Sequence, residues 1–229
     1  MHINKNRNFY NQIYYDELAK IIVKHISIES QKLNVANNQI RVLDVGCGFG
    51  EILKELNKYK FKTLGIDINE ECLNSSRKFS DVKLLSVYDL DEITEKFDYV
   101  VCSHVLEHCD NPIHAIKNLL KVSKKKVIIA VPNLARLANF GIRNPRIIND
   151  EHNFGWDCHH LKTLLVKKFN INKINFIQDG VTIPFLRNRF FYNFLVKIIE
   201  YKILPKIMPF QSNSLIIEIH KNEKWKKKF

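Results

Sequence analysis

Glycine is scarce in this chain, with seven in 229 residues, and no Gly- or Pro-rich stretch separates one part from another. Without a linker, a repeat or a low-complexity block there is no place to cut the chain, so 1–229 reads as one domain. The cysteines Cys47, Cys72, Cys102, Cys109 and Cys158 are odd in number and form no C-x-x-C pair, which fits neither a disulfide framework nor a zinc ribbon. Such staples are not needed, because a chain of this length hides roughly 70% of the surface that its unfolded form exposes. No stretch approaches the roughly 18 uninterrupted apolar residues of a membrane span, and the polar opening Met1 to Tyr10 lacks an apolar signal-peptide core. These absences point to a cytoplasmic protein, with peripheral contact at the inner face of a membrane left open.

What is present is globular: 45% hydrophobic residues, of which the aromatics alone make 11% of the chain, exclude general disorder. Thirty-six Lys and Arg against 24 Asp and Glu give a formal charge of +12, compatible with nucleic acid, anionic lipid or phosphorylated substrates without choosing among them. The Lys-rich end, Lys221 to Phe229, reads as a solvated tail.

Helical spacing of Ile13, Leu18, Ile21, Ile22 and His25 predicts an amphipathic helix over 10–30. From Ile40 the rhythm changes. Apolar runs of strand length at Arg41–Val45, Phe61–Ile66, Val82–Val87, Phe97–Cys102 and Val127–Val131 alternate with helical stretches at Gly50–Tyr59, Glu70–Phe79 and Pro112–Val122. A further helix capped by Asp157 runs through Leu161, Leu164, Leu165 and Phe169, and strands near Ile174–Ile177 and Leu215–His220 follow as an antiparallel close to the sheet. The expected fold is α/β, a Rossmann-like doubly wound, mostly parallel seven-stranded sheet with an antiparallel last strand. Residues 134–156 and 181–213 read as lid-like insertions. The second is too long and too apolar for a hairpin loop, and its interleaved aromatics and cations suit extra core, a dimer surface, an acceptor lid or a membrane surface.

Three of the seven glycines, Gly46, Gly48 and Gly50, fall within five residues directly after the strand ending Asp44-Val45. Glycines there let the backbone turn sharply and approach a ligand, with the next helix N-terminus pointing at it. A dinucleotide fingerprint would want a small residue at position 51. Glu51 stands there instead, a poor neighbour for a diphosphate but a tolerable one for a cationic ligand, and Asp44 argues the same way.

The pattern Asp44-x-Gly46-x-Gly48-x-Gly50 resembles the first motif of the class I S-adenosylmethionine-dependent methyltransferases. The similarity runs in order from Ile40 to Phe169. It implies that Asp67, ending Gly65-Ile66-Asp67, accepts the ribose hydroxyls, and that Asp89 faces the adenine amino group. The neighbouring positions Cys47, Ile68, Tyr88, Leu90, Ser103 and His104 are implied cofactor contacts. The segment Phe97 to His108 resembles the fourth-strand motif with its Leu-Glu-His ending. Glu151 to Asp157 resembles the Glu-His segment of small-molecule and sugar methyltransferases of the methyltransferase 11 and 23 type, and the final strand resembles those of surface-polysaccharide pathways.

The resemblance implies S-adenosylmethionine as cofactor and a small-molecule or sugar acceptor, free, nucleotide-linked or lipid-linked, with His152 as the general base at its hydroxyl. No metal is expected: Cys158, His159 and His160 are consecutive on a helix and point in different directions, so with His152 they cannot converge on one ion. A DNA partner is not expected. The rival readings are an RNA methyltransferase, a non-catalytic cofactor-binding scaffold and, least favoured by Glu51, a dehydrogenase.

Overall fold

The computed structural model describes residues 9–135, 152–182 and 194–221. Strands β1 (Arg41–Val45), β2 (Lys62–Asp67), β3 (Asp81–Leu84), β4 (Phe97–Ser103), β5 (Ser123–Pro132), β6 (Ile174–Ile177) and β7 (Ser214–His220) form one sheet in the order β3-β2-β1-β4-β5-β7-β6. β1 to β5 pair in parallel, and β7 runs antiparallel to both β5 and β6. The doubly wound sheet and its antiparallel last strand are as expected. β7 alone is reversed, so β6 runs in the direction of the parallel set.

Buried parallel strands read as continuous apolar runs, and β5 shows why: Val127 to Val131 are all buried. The pleat sends alternate residues to opposite layers. Val42, Tyr99, Val101, Ile128 and Ala130 pack with helix α1 (Phe9–Lys32) and Leu56 of α2 (Glu51–Lys58). Leu43, Val45, Val100, Cys102, Ile129 and Val131 face Ala115, Ile116 and Leu119 of α4 (Pro112–Val122) and Leu161 and Leu165 of α5 (Cys158–Phe169). Helix α3 (Glu70–Ser76) completes this framework beside β2 and β3.

Local chemistry starts the helices where the sequence indicates. The side chain of Asn111 accepts the His114 N–H at 3.0 Å, with Pro112 in the first turn, and Asp157 accepts the His160 N–H at 2.8 Å. Strand β3 is shorter than the expected Val82–Val87, because Leu85 and Val87 are apolar as core residues beyond the end of the strand. Within the second insertion the described part is helical: α6 (Phe194–Ile198), a π-turn at Ile199–Ile203 and α7 (Leu204–Ile207). Lys197 reaches Glu17 of α1 at 2.6 Å. Residues 136–151, 183–193 and the tail from 222 lie outside the described residues.

Helix α1 is held to the sheet by a buried charge cluster. Lys126 contacts Glu29 at 2.6 Å and Glu218 at 3.1 Å, and His25 meets Glu218 at 2.9 Å. Burial alone would push the Glu218 carboxyl up, but hydrogen bonds from His25 and Lys126 outweigh it and hold the group near 2. A depressed carboxyl stabilises the fold above its unfolded value and loses that contribution as pH falls through the folded one. The denaturant midpoint is therefore expected to drop as pH falls from 4.5 toward 2. Lys126→Met strips a buried carboxylate of its main cation, at a cost of about 3 kcal/mol. That lowers Tm by about 6–12 °C for a chain of this size, and thermal unfolding at pH 7 measures it.

Candidate active site

The carboxyl ends of parallel strands are open where neighbouring connections run to opposite faces, and here that switch falls between β1 and β4. A cleft of about 690 Å³ lies at this point, lined by the ends of β1, β2 and β4, the loop after β3, and Tyr15, Leu18 and Ala19 of α1. The glycine loop forms its floor. Gly46 and Cys47 both donate their N–H to the Ile66 carbonyl, at 2.8 and 2.9 Å, which ties the loop to β2. Gly46 has φ +73°, and a Cβ there would stand 2.2 Å from a methyl of Val105, so both the left-handed backbone and the close approach require glycine.

Asp67 organises the loop from the side. One carboxylate oxygen accepts the Gly48 N–H at 2.8 Å and the other the Asn69 N–H at 2.9 Å. Each oxygen keeps acceptor capacity for a ribose hydroxyl. Asp44 is different: it is 1% exposed, and neither oxygen has a hydrogen-bond partner among the described residues. Burial, and then the charges of Glu51 and Asp67, push its carboxyl up to about 8. A positive ligand group in the cleft would favour the ionised carboxylate and oppose that shift.

The charge of the lining is the reverse of the charge of the protein. Asp44, Glu51, Asp67, Glu107 and Asp110 line the cleft, and among its described lining residues there is no Lys or Arg. Such a wall repels a diphosphate and suits a sulfonium or an ammonium.

Ile68, 62% exposed, together with Leu85, Ser86 and Tyr88, offers a partly apolar wall for a ring. Asn118 of α4 fixes this wall by donating to the Val87 and Tyr88 carbonyls at 3.2 and 2.8 Å. Ser103 and His104 also line the cleft. His104 is held at φ +55°, with Nε2 3.0 Å from both the Tyr14 and Ser214 hydroxyls and Nδ1 3.2 Å from Glu107. That left-handed backbone is costly for a non-glycine residue and is over-determined here by contacts from α1, β7 and the loop itself.

Three expected cofactor contacts stand apart from this lining. The Asp89 side chain is exposed on a turn just outside it. Leu90 is fully buried in the core and borders a separate cavity with Lys117 and Lys121. Gly50 starts α2 in the left-handed conformation, φ +85°, against Ser76 and Phe79, which makes it a packing glycine. Cys47 lines the cleft, while its sulfur lies 3.8 Å from the Ser76 hydroxyl and burial raises the thiol.

At the far end the chain returns on itself. The Asn153 and Phe154 N–H groups donate to the Glu107 carbonyl at 2.7 and 3.1 Å, and the Asn153 amide donates to the His108 carbonyl at 3.2 Å. This brings His152 onto the Leu106–His108 turn, its ring edge-on to His108 with centroids 4.9 Å apart. His159 and His160 are exposed on α5, and His160 pairs with its own cap Asp157 at 2.5 Å, so they belong to the helix start and not to the cleft. Glu107 and His108 also line the cleft, where the sequence showed them only as part of a motif, and Asp110 and Tyr15 were missed. The Leu-Glu-His ending was the available signal for the first two.

A family model described as a methyltransferase domain matches residues 15–170. The chain is an S-adenosylmethionine-dependent methyltransferase. A protein of Methanocaldococcus jannaschii is 30% identical over 224 residues, covering 93% of this chain and 89% of that one. The ubiquinone biosynthesis O-methyltransferase of Coxiella burnetii is 30% identical over 125 residues, which cover 49% of this chain and 53%, about half, of that enzyme. In fold the methyltransferase is similar to magnesium protoporphyrin IX methyltransferase of Synechocystis solved with S-adenosylmethionine, at TM-score 0.60 and 14% identity over 96% of this chain and 87% of that one. An Archaeoglobus fulgidus methyltransferase superposes with TM-score 0.59 at 20% identity, covering 93% of this chain and 100% of that one.

Two outcomes are expected for the cofactor site. Asp67→Ala removes charge-assisted bonds worth about 1.5–3 kcal/mol, so calorimetry should show affinity for S-adenosylhomocysteine weakened by roughly 10- to 100-fold. For Asp44 the signs of binding and stability are opposite. Because its folded value lies above the unfolded one, its contribution to the free protein is fully present below pH 3.8 and is lost as pH rises toward 8. Asp44→Asn should therefore raise Tm of the free protein at pH 8. Cofactor affinity in the wild type should climb as pH rises toward 8, by at most about tenfold per unit, and that climb should be missing from the variant.

Proposed function

We propose that this methyltransferase acts on a hydroxyl oxygen of a small neutral molecule, a sugar being the first class to try. The observation that carries the reading is the pairing of a carboxylate-lined cofactor cleft with an imidazole pair, His108 and His152, in the wall of the same cleft. The acceptor oxygen attacks the methyl carbon in line with the sulfur. The new O–C bond forms as the S–C bond breaks, its electron pair neutralises the sulfonium, and the hydroxyl proton must leave. A sugar hydroxyl is too weakly acidic to attack fast unaided, so its deprotonation is the step that needs the protein. That step is assigned to His152 in the wall of the cleft.

The acidic wall supports a neutral acceptor and speaks against RNA: a phosphate backbone entering this cleft meets Glu51, Asp67 and Asp110 and, among the described lining residues, no Lys or Arg. The Coxiella relative, an O-methyltransferase by name, supports oxygen as the acceptor atom. Helices among the described residues are not long and apolar enough to cross a membrane. The described residues of 181–213 do not line the cleft, and the role proposed for that segment is to meet the distal part of the acceptor. A cytoplasmic site for the reaction follows as part of the same proposal.

The test is methyl transfer from labelled S-adenosylmethionine to a panel of sugars, phenols and RNA. His152→Ala should lose turnover by roughly 100-fold or more, the usual range for a proton-transfer residue, while S-adenosylhomocysteine still binds. Normal turnover in the variant, or transfer to RNA alone, contradicts the reading.

A further inference from the structure

The turn after β4 carries a buried carboxylate that accepts no hydrogen bond from the described residues. Glu107 is 1% exposed, and neither of its oxygens has a hydrogen-bond partner among the described residues. The His104 ring nitrogen stands 3.2 Å from one oxygen, within ion-pair range but not aligned to donate. A bare carboxylate is expensive to bury, and natural proteins keep one only with a cation or a proton. Beside it stand two imidazoles. One ligand atom from each of Glu107, His108 and His152 lies within 4.8 Å of the others.

We propose that Glu107, His108 and His152 hold a divalent transition-metal cation at the acceptor end of the cleft. Two imidazole nitrogens and one carboxylate oxygen are the donors favoured by zinc, cobalt, iron or manganese. Bond lengths of about 2.0–2.1 Å put tetrahedral ligand atoms about 3.4 Å apart, so small side-chain rotations from the present spacing close the set. Three protein ligands leave at least one position open, and the site faces the cleft, as a cation that binds substrate requires. The backbone clamp from Asn153 and Phe154 to the Glu107 carbonyl fixes the approach of His152 to the other two. His104 sits behind Glu107 as the group that would orient the carboxylate. This trio differs from His152, Cys158, His159 and His160, which do not converge.

The inference rests on the reading of this cleft as a site of hydroxyl methylation and specifies how the hydroxyl is prepared. An acceptor oxygen bound to the cation loses its proton more easily, to water in the open cleft, and then attacks the methyl carbon. His152 then acts on the proton through the cation instead of accepting it. The favoured acceptors are molecules with two neighbouring oxygens, able to chelate the ion while offering one of them to the methyl group.

Cobalt(II) is the probe, added to metal-stripped protein and followed by visible absorption. The expected result is one ion per chain with nitrogen- and oxygen-ligand bands. Affinity should fall by at least about 100-fold in His152→Ala and in Glu107→Gln, since losing a ligand costs no less than losing an orienting partner. Retained S-adenosylhomocysteine binding shows that each variant is folded. Saturable binding that survives both substitutions, a thiolate charge-transfer band that assigns the ion to cysteine, or no binding at all overturns the cation site. Because the readout is metal binding, it stands apart from acceptor choice: methyl transfer by chelated protein at the normal rate would sink the cation and leave hydroxyl methylation standing.

Discussion

Everything about the cleft follows from a carboxylate placed where water cannot reach it. Asp44, one residue before the end of β1, is 1% exposed and has no hydrogen-bond partner among the described residues, with the charges of Glu51 and Asp67 near it. The sheet forces this position, because β1 is central and its pleat turns Val42 to one layer and Leu43 and Val45 to the other. Destabilisation at that point is offset by burial of both layers and by the Lys126–Glu218 cluster that fastens α1 across the sheet. Local cost at a site against surplus elsewhere is how folds keep functional groups poised. The consequence is a cleft that favours a positive ligand inside a protein of net charge +12.

The two ends of the cleft divide the chemistry. Near β1 and β2, backbone N–H groups and the Asp67 carboxylate are already paired with one another, so the glycine loop is set before a ligand arrives. Preorganisation of that kind lowers the entropy lost on binding. Near β4 one group stands out: among the described residues no hydrogen bond reaches the buried Glu107 carboxylate, and His104 holds a strained backbone beside it. The paired end suits holding a cofactor; the end with the buried Glu107 carboxylate and its imidazoles suits acting on an acceptor.

Strand positions, the helix caps at Asn111 and Asp157, and the glycine loop were legible in the sequence, because each depends on residues close together in the chain. The placement of Asp44 and Asp67 beside that loop was legible for the same reason. Asp89 and Leu90 were less so: the turn after β3 aims Tyr88 and Ser86 at the cleft, leaves Asp89 exposed and sinks Leu90 into the core, and no local pattern distinguishes those directions. The meeting of His152 with Glu107 and His108 depends on backbone hydrogen bonds between distant segments, and the Tyr14–His104–Ser214 cluster joins the first helix to the last strand. Contacts of that range leave no periodicity to read.

The central claim is that the cleft is built for a cationic, diphosphate-free nucleoside. Calorimetric titration with S-adenosylhomocysteine, with NAD as the control on the same preparation, tests it most directly. The account predicts saturable one-to-one binding of S-adenosylhomocysteine and none of NAD. Binding of NAD at comparable affinity would contradict it, since a diphosphate would then be accepted by a wall of carboxylates.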